Sequence, residues 1–241
     1  MAEKLDKRVR VWDLPVRLFH WTLVILLVTS YFSGRAGGDW MTLHFWSGCT
    51  ILILLLFRIA WGFVGSTTAR FSHFVKGPAA WFVYLKNFAT GRPTYDVGHN
   101  PVVGIMVVVL IFAVLAQAVA GLFSADTDLG TVNGPLANIV ADKWVDRLTD
   151  FHKFWINVLI WLAVLHILAS IIYLVLKRQN LIGSMFHGHK PVEHVAGAGE
   201  SEPLLSFGSG SVAISLLIAF AAIVYLCVWP GWRAVAALLG G

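Results

Sequence analysis

The stretch FHKFWINVLIWLAVLHILASIIYLVL (Phe151–Leu176) decides how this 241-residue chain folds. From Phe154 to Leu176 it contains no Lys, Arg, Asp or Glu. About 20 apolar residues in a helix cross the hydrocarbon layer of a bilayer, so this run predicts a membrane span. It lacks the period-2 alternation of a transmembrane β-strand. His152 opens it and His166 lies inside it. Ionisable side chains within a bilayer are costly and usually functional, so these two histidines need an explanation.

Four further runs have the same character: Val16–Ser33, Thr42–Val64, Val102–Phe123 and Ser211–Val228. Pro15 and Pro101 stand just before the first and third, where a helix tolerates proline, and Pro230 stops the fifth. Apolar residues make up 58% of the chain and charged residues 13%, the latter about half the share in a soluble domain. That excludes a disordered, fibrous or ordinary soluble protein. Lys4, Lys7, Arg8 and Arg10 precede the first run, as in a signal peptide. The run exceeds a signal core of about 7–15 residues and no A-x-A site follows, so it reads as a retained span. Cys49 and Cys227 lie in apolar runs, without a C-x-x-C-H motif, which excludes covalently attached haem and a disulfide framework.

Basic loop residues set the orientation. The N-terminal segment carries Lys4, Lys7, Arg8 and Arg10, the second loop Arg70, Lys76, Lys86 and Arg92, and the fourth Lys177, Arg178 and Lys190. The opposite side carries Arg35, Lys143, Arg147, Lys153 and Arg233. The N-terminus is therefore expected in the cytoplasm of a bacterial inner membrane and the C-terminus in the periplasm. Trp40, Trp46, Trp61, Trp144, Trp155, Trp229 and Trp232 fall near the expected boundaries, as an aromatic belt would. The positive balance is a membrane signature. With no basic face on a soluble domain, no nucleic acid is expected as a partner.

With the spans oriented, His20 lies toward the inner side of the first and His44 toward the outer side of the second. His152 is outer and His166 deeper. Their 14-residue separation is about 21 Å along a helix and about 40° from a shared face. The histidines thus pair by depth, His44 with His152 and His20 with His166. Two imidazole pairs in a four-helix bundle suit two six-coordinate haems, and iron with both axial positions filled points to electron transfer. Gly48, one turn after His44, would let a porphyrin lie against its helix. Arg58 and Arg17, within or at the edge of spans, are candidates for haem propionates or quinone, with snorkelling as the bland alternative.

Other readings of the four histidines are hydrogen bonding between helices and proton relay in a transporter or channel. Relays usually add carboxylates, which these spans lack. One zinc cannot take both His152 and His166.

Outside the spans, Pro78–Phe88 reads as a short interfacial helix and Pro135–Leu148 as an amphipathic helix on the membrane surface. His73 and His99 read as surface residues. His187, His189 and His194 form an H-x-H…H cluster in a flexible segment, a weak metal candidate. Asp126, Asp128, Asp142, Asp146 and Asp150 line the outer loop, a solvated face or a docking surface for a basic redox partner.

The sequence resembles the prokaryotic cytochrome b561 family, which includes the b-type cytochrome subunit of nickel–iron hydrogenases. The matching stretches are VWDLPVRLFHWTLV (11–24), LHFWSG (43–48), FRIAWGFVGSTTARFSHFVKGP (57–78), GHNPVVG (98–104), the H-x13-H of 152–166, and NLIGSMFHGHK (180–190). The resemblance implies four core helices with two b haems, axial ligation by His20, His44, His152 and His166, and electron passage between quinone and a partner. The expected protein is an all-α integral membrane protein. Residues 1–190 form a four-span dihaem domain, 191–209 a flexible cytoplasmic linker, and 210–241 a fifth transmembrane helix with a short external tail. Its cofactors would be two haem b, with quinone as a diffusible substrate. Its partner would be a periplasmic c-type cytochrome or a hydrogenase-like enzyme. A stand-alone quinone-linked oxidoreductase of a small acceptor such as superoxide is the alternative within the haem class.

Overall fold

The computed structural model describes residues 8–92, 96–125, 133–196 and 204–228. Lys4, Lys7, Asp126, Asp128, Trp229, Pro230, Trp232, Arg233 and the central part of the expected linker (197–203) lie outside these residues.

A short strand, β1 (Arg8–Arg10), leads into helix α1 (Leu14–Ala36). The Asp13 carboxylate accepts from the Val16 backbone N–H at 2.8 Å and caps the helix. Gly37, at φ +66°, ends it in the left-handed conformation that favours glycine. A 3-10 turn (Gly38–Trp40) then starts α2 (Met41–Val64). Two short helices follow, α3 (Phe71–Phe74) and α4 (Pro78–Ala89). Asn100 caps α5 (Pro101–Phe123) by accepting from the Val102 and Val103 N–H groups at 3.0 and 2.9 Å.

Helix α6 (Asp142–Leu176) is 35 residues long. The surface helix expected over Pro135–Leu148 does not exist as a separate element. Ala137–Ile139 forms one 3-10 turn, and Asp142–Leu148 is the start of α6. No Gly or Pro occurs from Asp142 to Leu176 to break the helix, and Asp142 suits its N-terminal dipole. His152 therefore lies inside a helix rather than at its edge. After α7 (Leu181–His187) and strand β2 (His189–Pro191), α8 (Gly210–Val228) completes the described chain.

Five segments are long and apolar enough to cross a membrane: Leu14–Ala36, Gly38–Val64, Pro101–Phe123, Asp142–Leu176 and Gly210–Val228. Phe32, Phe63, Phe112 and Trp161 are 61–69% exposed, which is the surface a lipid phase covers. The protein is an all-α integral membrane protein.

Two compact units divide the chain. The first comprises Met1–His20, Arg58–Leu110 and Leu162–Ala213. Here β1 and β2 pair antiparallel, with Val9 opposite Lys190. Residues 191–209, expected as a flexible linker, are structured where described. Pro191 closes a strand, Val192–His194 forms a 3-10 turn, and Thr67 N–H donates to the Ser206 carbonyl at 2.9 Å. Thr67 and Ser206 stand 139 residues apart, so local composition does not reveal that contact. Asp13 knots the unit together. It accepts from Trp61 Nε1 at 2.9 Å and places its charge near the buried Arg58, while Thr68 Oγ1 donates to the Val11 carbonyl at 2.6 Å.

The second unit comprises Trp21–Phe57, Ile111–Trp161 and Ile214–Gly241. Cys49, Leu52, Val224 and Val228 form a buried cluster packed against Leu115, Ala118 and Leu122. Helix α8 thereby packs on α2 and α5.

Asp13→Ala removes a helix cap, about 1 kcal/mol, and the charge facing a buried guanidinium, about 3 kcal/mol or more. A melting temperature several degrees lower is expected in detergent, with a smaller loss for Asp13→Asn, which keeps an N-cap acceptor.

Candidate functional site

Each unit contains one pair of the predicted histidines. In the second, His44 of α2 faces His152 of α6 with ring centres 6.0 Å apart and planes at 89°. In the first, His20 of α1 faces His166 of α6 at 6.4 Å and 50°. The pairs are those expected from depth.

The second pair is held from behind. His44 Nδ1 lies 2.8 Å from the Ser30 carbonyl, and His152 Nδ1 lies 3.0 Å from the Gln117 carbonyl. A carbonyl only accepts, so Nδ1 carries the proton in both rings and Nε2 keeps its lone pair. That is the tautomer a metal-ligating histidine uses. Gln117 Nε2 also donates to the His152 carbonyl at 3.1 Å, fixing α5 to α6.

Glycines make room for these rings. A Cβ at Gly34 would stand 2.7 Å from His44 Nδ1, and one at Gly121 would stand 3.0 Å from His152 Cε1. The same device appears twice. Ser30 and Gly34 on α1, and Gln117 and Gly121 on α5, lie four residues apart on one helix face, one giving the carbonyl and the other the space. Sequence reasoning missed all four residues. The signal present was a polar residue followed four positions later by glycine within an apolar run.

The ring spacing fits a metal shared between two imidazoles. About 2 Å from metal to each nitrogen, plus about 1 Å from nitrogen to ring centre, places the centres roughly 6 Å apart. Among the described residues no group of three or more His, Cys, Asp or Glu could hold a bare ion. Two imidazoles suit the axial positions of a cofactor that brings its own equatorial ligands, as haem does. A Cβ at Gly48 would meet nothing within 4 Å, so the α2 surface one turn from His44 is open, as a porphyrin face needs.

Around the first pair lies a basic layer. Arg58 is 2% exposed, donates from Nη1 to the Ala69 carbonyl at 3.2 Å and lies over the Phe71 and Phe74 rings. Arg17 donates from Nη2 to the Phe186 carbonyl near the end of α7. His99, expected at the surface, instead sits between the Trp12 and Phe74 rings, 4.7 Å from each, with Nδ1 buried. Burial, then the charges of Arg58 and Lys190 and the His166 and His73 rings, hold His99 well below the usual imidazole range. Burial pushes Lys190 down to about 8, opposed by Asp96.

Comparison with known proteins gives the class. The family model for prokaryotic cytochrome b561 matches residues 11–188. The chain belongs to this family. It is 26% identical over 220 residues to a probable Ni/Fe-hydrogenase B-type cytochrome subunit of Rhizobium leguminosarum bv. viciae, covering 78% of this chain and 92% of that one. A protein of the same description from Azotobacter vinelandii is 27% identical over 234 residues, covering 77% and 90%. A probable Ni/Fe-hydrogenase 1 B-type cytochrome subunit of Escherichia coli (strain K12) is 33% identical over 130 residues, 42% of this chain and 54% of that one. No solved structure matches. The protein is thus a transmembrane b-type cytochrome, and its work is membrane electron transfer through haem b.

Gly34→Ala and Gly121→Ala are expected to push the His44 and His152 rings out of line. Each should lower haem content per chain, read by pyridine haemochrome, while Gly210→Ala, whose Cβ meets nothing within 4 Å, leaves haem content unchanged.

Proposed function

We propose that this chain holds two haem b groups, one between His20 and His166 and one between His44 and His152. We propose that it moves electrons across a bacterial inner membrane between quinone and a periplasmic redox partner. The observation that carries this reading is the twofold recurrence of opposed imidazoles at 6.0 and 6.4 Å. Bound haem with both axial positions taken supplies one-electron transfer and little else.

The chain's own residues do the rest. Four imidazoles fix the cofactors. Ser30 and Gln117 fix the tautomers of two of them. The open helix face at Gly48 accommodates a flat ring. Arg58 and Arg17 each spend one donor on a backbone carbonyl and keep others for a propionate or quinone oxygen, and the deeper burial of Arg58 makes it the better candidate. The basic loops support a cytoplasmic N-terminus and a periplasmic C-terminus. His152 then lies toward the periplasm. Asp142, Asp146 and Asp150, all exposed and four residues apart on α6, give that end a negative face suited to a positively charged partner. The hydrogenase subunits among its relatives support an enzyme of that kind as the redox partner.

Haem content tests the ligand assignment. About two haems per chain are expected, falling toward one in His44→Ala or His166→Ala. Gly48→Leu is expected to leave the unloaded chain stable, because the site is open, yet to lower haem content. In proteoliposomes, quinol is expected to reduce the haem spectrum. No reduction by quinol would contradict the quinone link. Arg58→Gln should make one midpoint potential more negative by about 60 mV, near 1.4 kcal/mol for a one-electron couple, with Arg58→Lys shifting it less.

A further inference from the structure

A second pocket lies away from the histidine pairs. It has a volume of about 200 Å³ and is lined by Arg8, Arg178, Asn180, His187, His189 and His194, among others. All of these belong to the first unit, where β1 meets β2 and α6 gives way to α7. Among the described residues, no Asp or Glu lines it. Arg178 stands two residues past the end of α6 and Arg8 precedes α1, so the pocket lies at the ends of two candidate spans, where lipid headgroups are expected.

Three observations give it a ligand class. The first is crowding of like charge. Burial, then Arg8, His189 and Arg17, hold His187 below the usual imidazole range. The second is tautomer. The His189 backbone N–H donates to His187 Nδ1 at 3.1 Å, so His187 carries its proton on Nε2 and offers an N–H while neutral. His189 Nδ1 in turn lies 2.8 Å from the His187 carbonyl. With its proton on Nε2 and its Nδ1 lone pair spent, the His187 ring has no lone pair left for a metal, which disfavours it as a ligand in this H-x-H…H cluster. The third is backbone. Arg178 has φ +53°, among the described residues the only non-glycine in the left-handed region. Glycine would fill that position at lower cost. Arg178 therefore holds its guanidinium at the pocket on a strained backbone. The Lys190 ammonium is not part of the site, since it donates to the Gly98 and Asp96 carbonyls at 2.9 and 3.2 Å.

We propose that this pocket binds a phosphate-bearing anion, with Arg8, Arg178 and the His187 N–H as its donors. Two sources share that chemistry: the headgroup of an anionic phospholipid, which basic pockets at membrane faces recognise, and free phosphate. The site is independent of the haem assignment.

Native mass spectrometry of the full chain in detergent tests it, with no readout from haem. Titrations use dihexanoyl phosphatidylglycerol, dihexanoyl phosphatidylcholine and inorganic phosphate. A site of this kind gives one tight equivalent of phosphatidylglycerol or of phosphate, and little of phosphatidylcholine. Arg178→Gly, which relieves the backbone, should weaken it about fivefold, and adding Arg8→Gln about fivefold more. Lys86→Gln, an exposed charge on α4, should change it less than twofold. Preference for phosphatidylglycerol over phosphate assigns the site to lipid, and the reverse assigns it to the free ion. Equal binding of both lipids without phosphate binding, or equal losses in Arg178→Gly and Lys86→Gln, would overturn the proposal.

Discussion

An imidazole in a hydrocarbon layer has two nitrogens to satisfy and no water to do it. The structure meets this constraint at His44 and His152 by spending Nδ1 on a neighbouring carbonyl. The two rings stand with centres 6.0 Å apart, about the spacing of imidazoles that share one metal. Helix choice, glycine placement and tautomer all follow from that need. A hydrogen bond to a backbone carbonyl sets ring direction as well as proton position. Because Gly34 and Gly121 bring backbone close to each ring, the imidazoles have few other orientations available.

The first unit solves a different problem, the entry and exit of chain at a membrane face. Backbone groups there lack helix partners and are satisfied individually. Val11 and Trp12 donate to the Gly188 carbonyl at 2.8 and 3.0 Å, and β1 pairs with β2. Asp13 carries the heaviest demand. It caps α1, accepts from Trp61 and offsets Arg58. A buried guanidinium is tolerated only with such support, so the motif W-D-L-P at 12–15 is structural before it is functional.

Much of this was legible in the sequence. Long uncharged runs marked the helices, because a span must be apolar along its whole length. The four histidines stood out because the same rule makes them exceptions. The supporting residues were illegible for a matching reason. Ser30 and Gln117 act through backbone carbonyls, which every residue has, and Gly34 and Gly121 act by lacking a side chain. The start of α6 was misread because Asp142–Leu148 is amphipathic, and periodicity does not reveal whether such a segment continues into a span. His99 was misread because its burial depends on Trp12 and Phe74, both remote in sequence.

The most direct test of the two-pair account is electron paramagnetic resonance of the oxidised, detergent-purified protein, with spins counted against chain concentration. Two low-spin ferric species per chain, in equal amounts, are expected. The His44/His152 species should be the more anisotropic, since its ring planes are near perpendicular at 89° against 50° for the other. One low-spin species per chain, or a high-spin signal from iron with an open axial position, would contradict it.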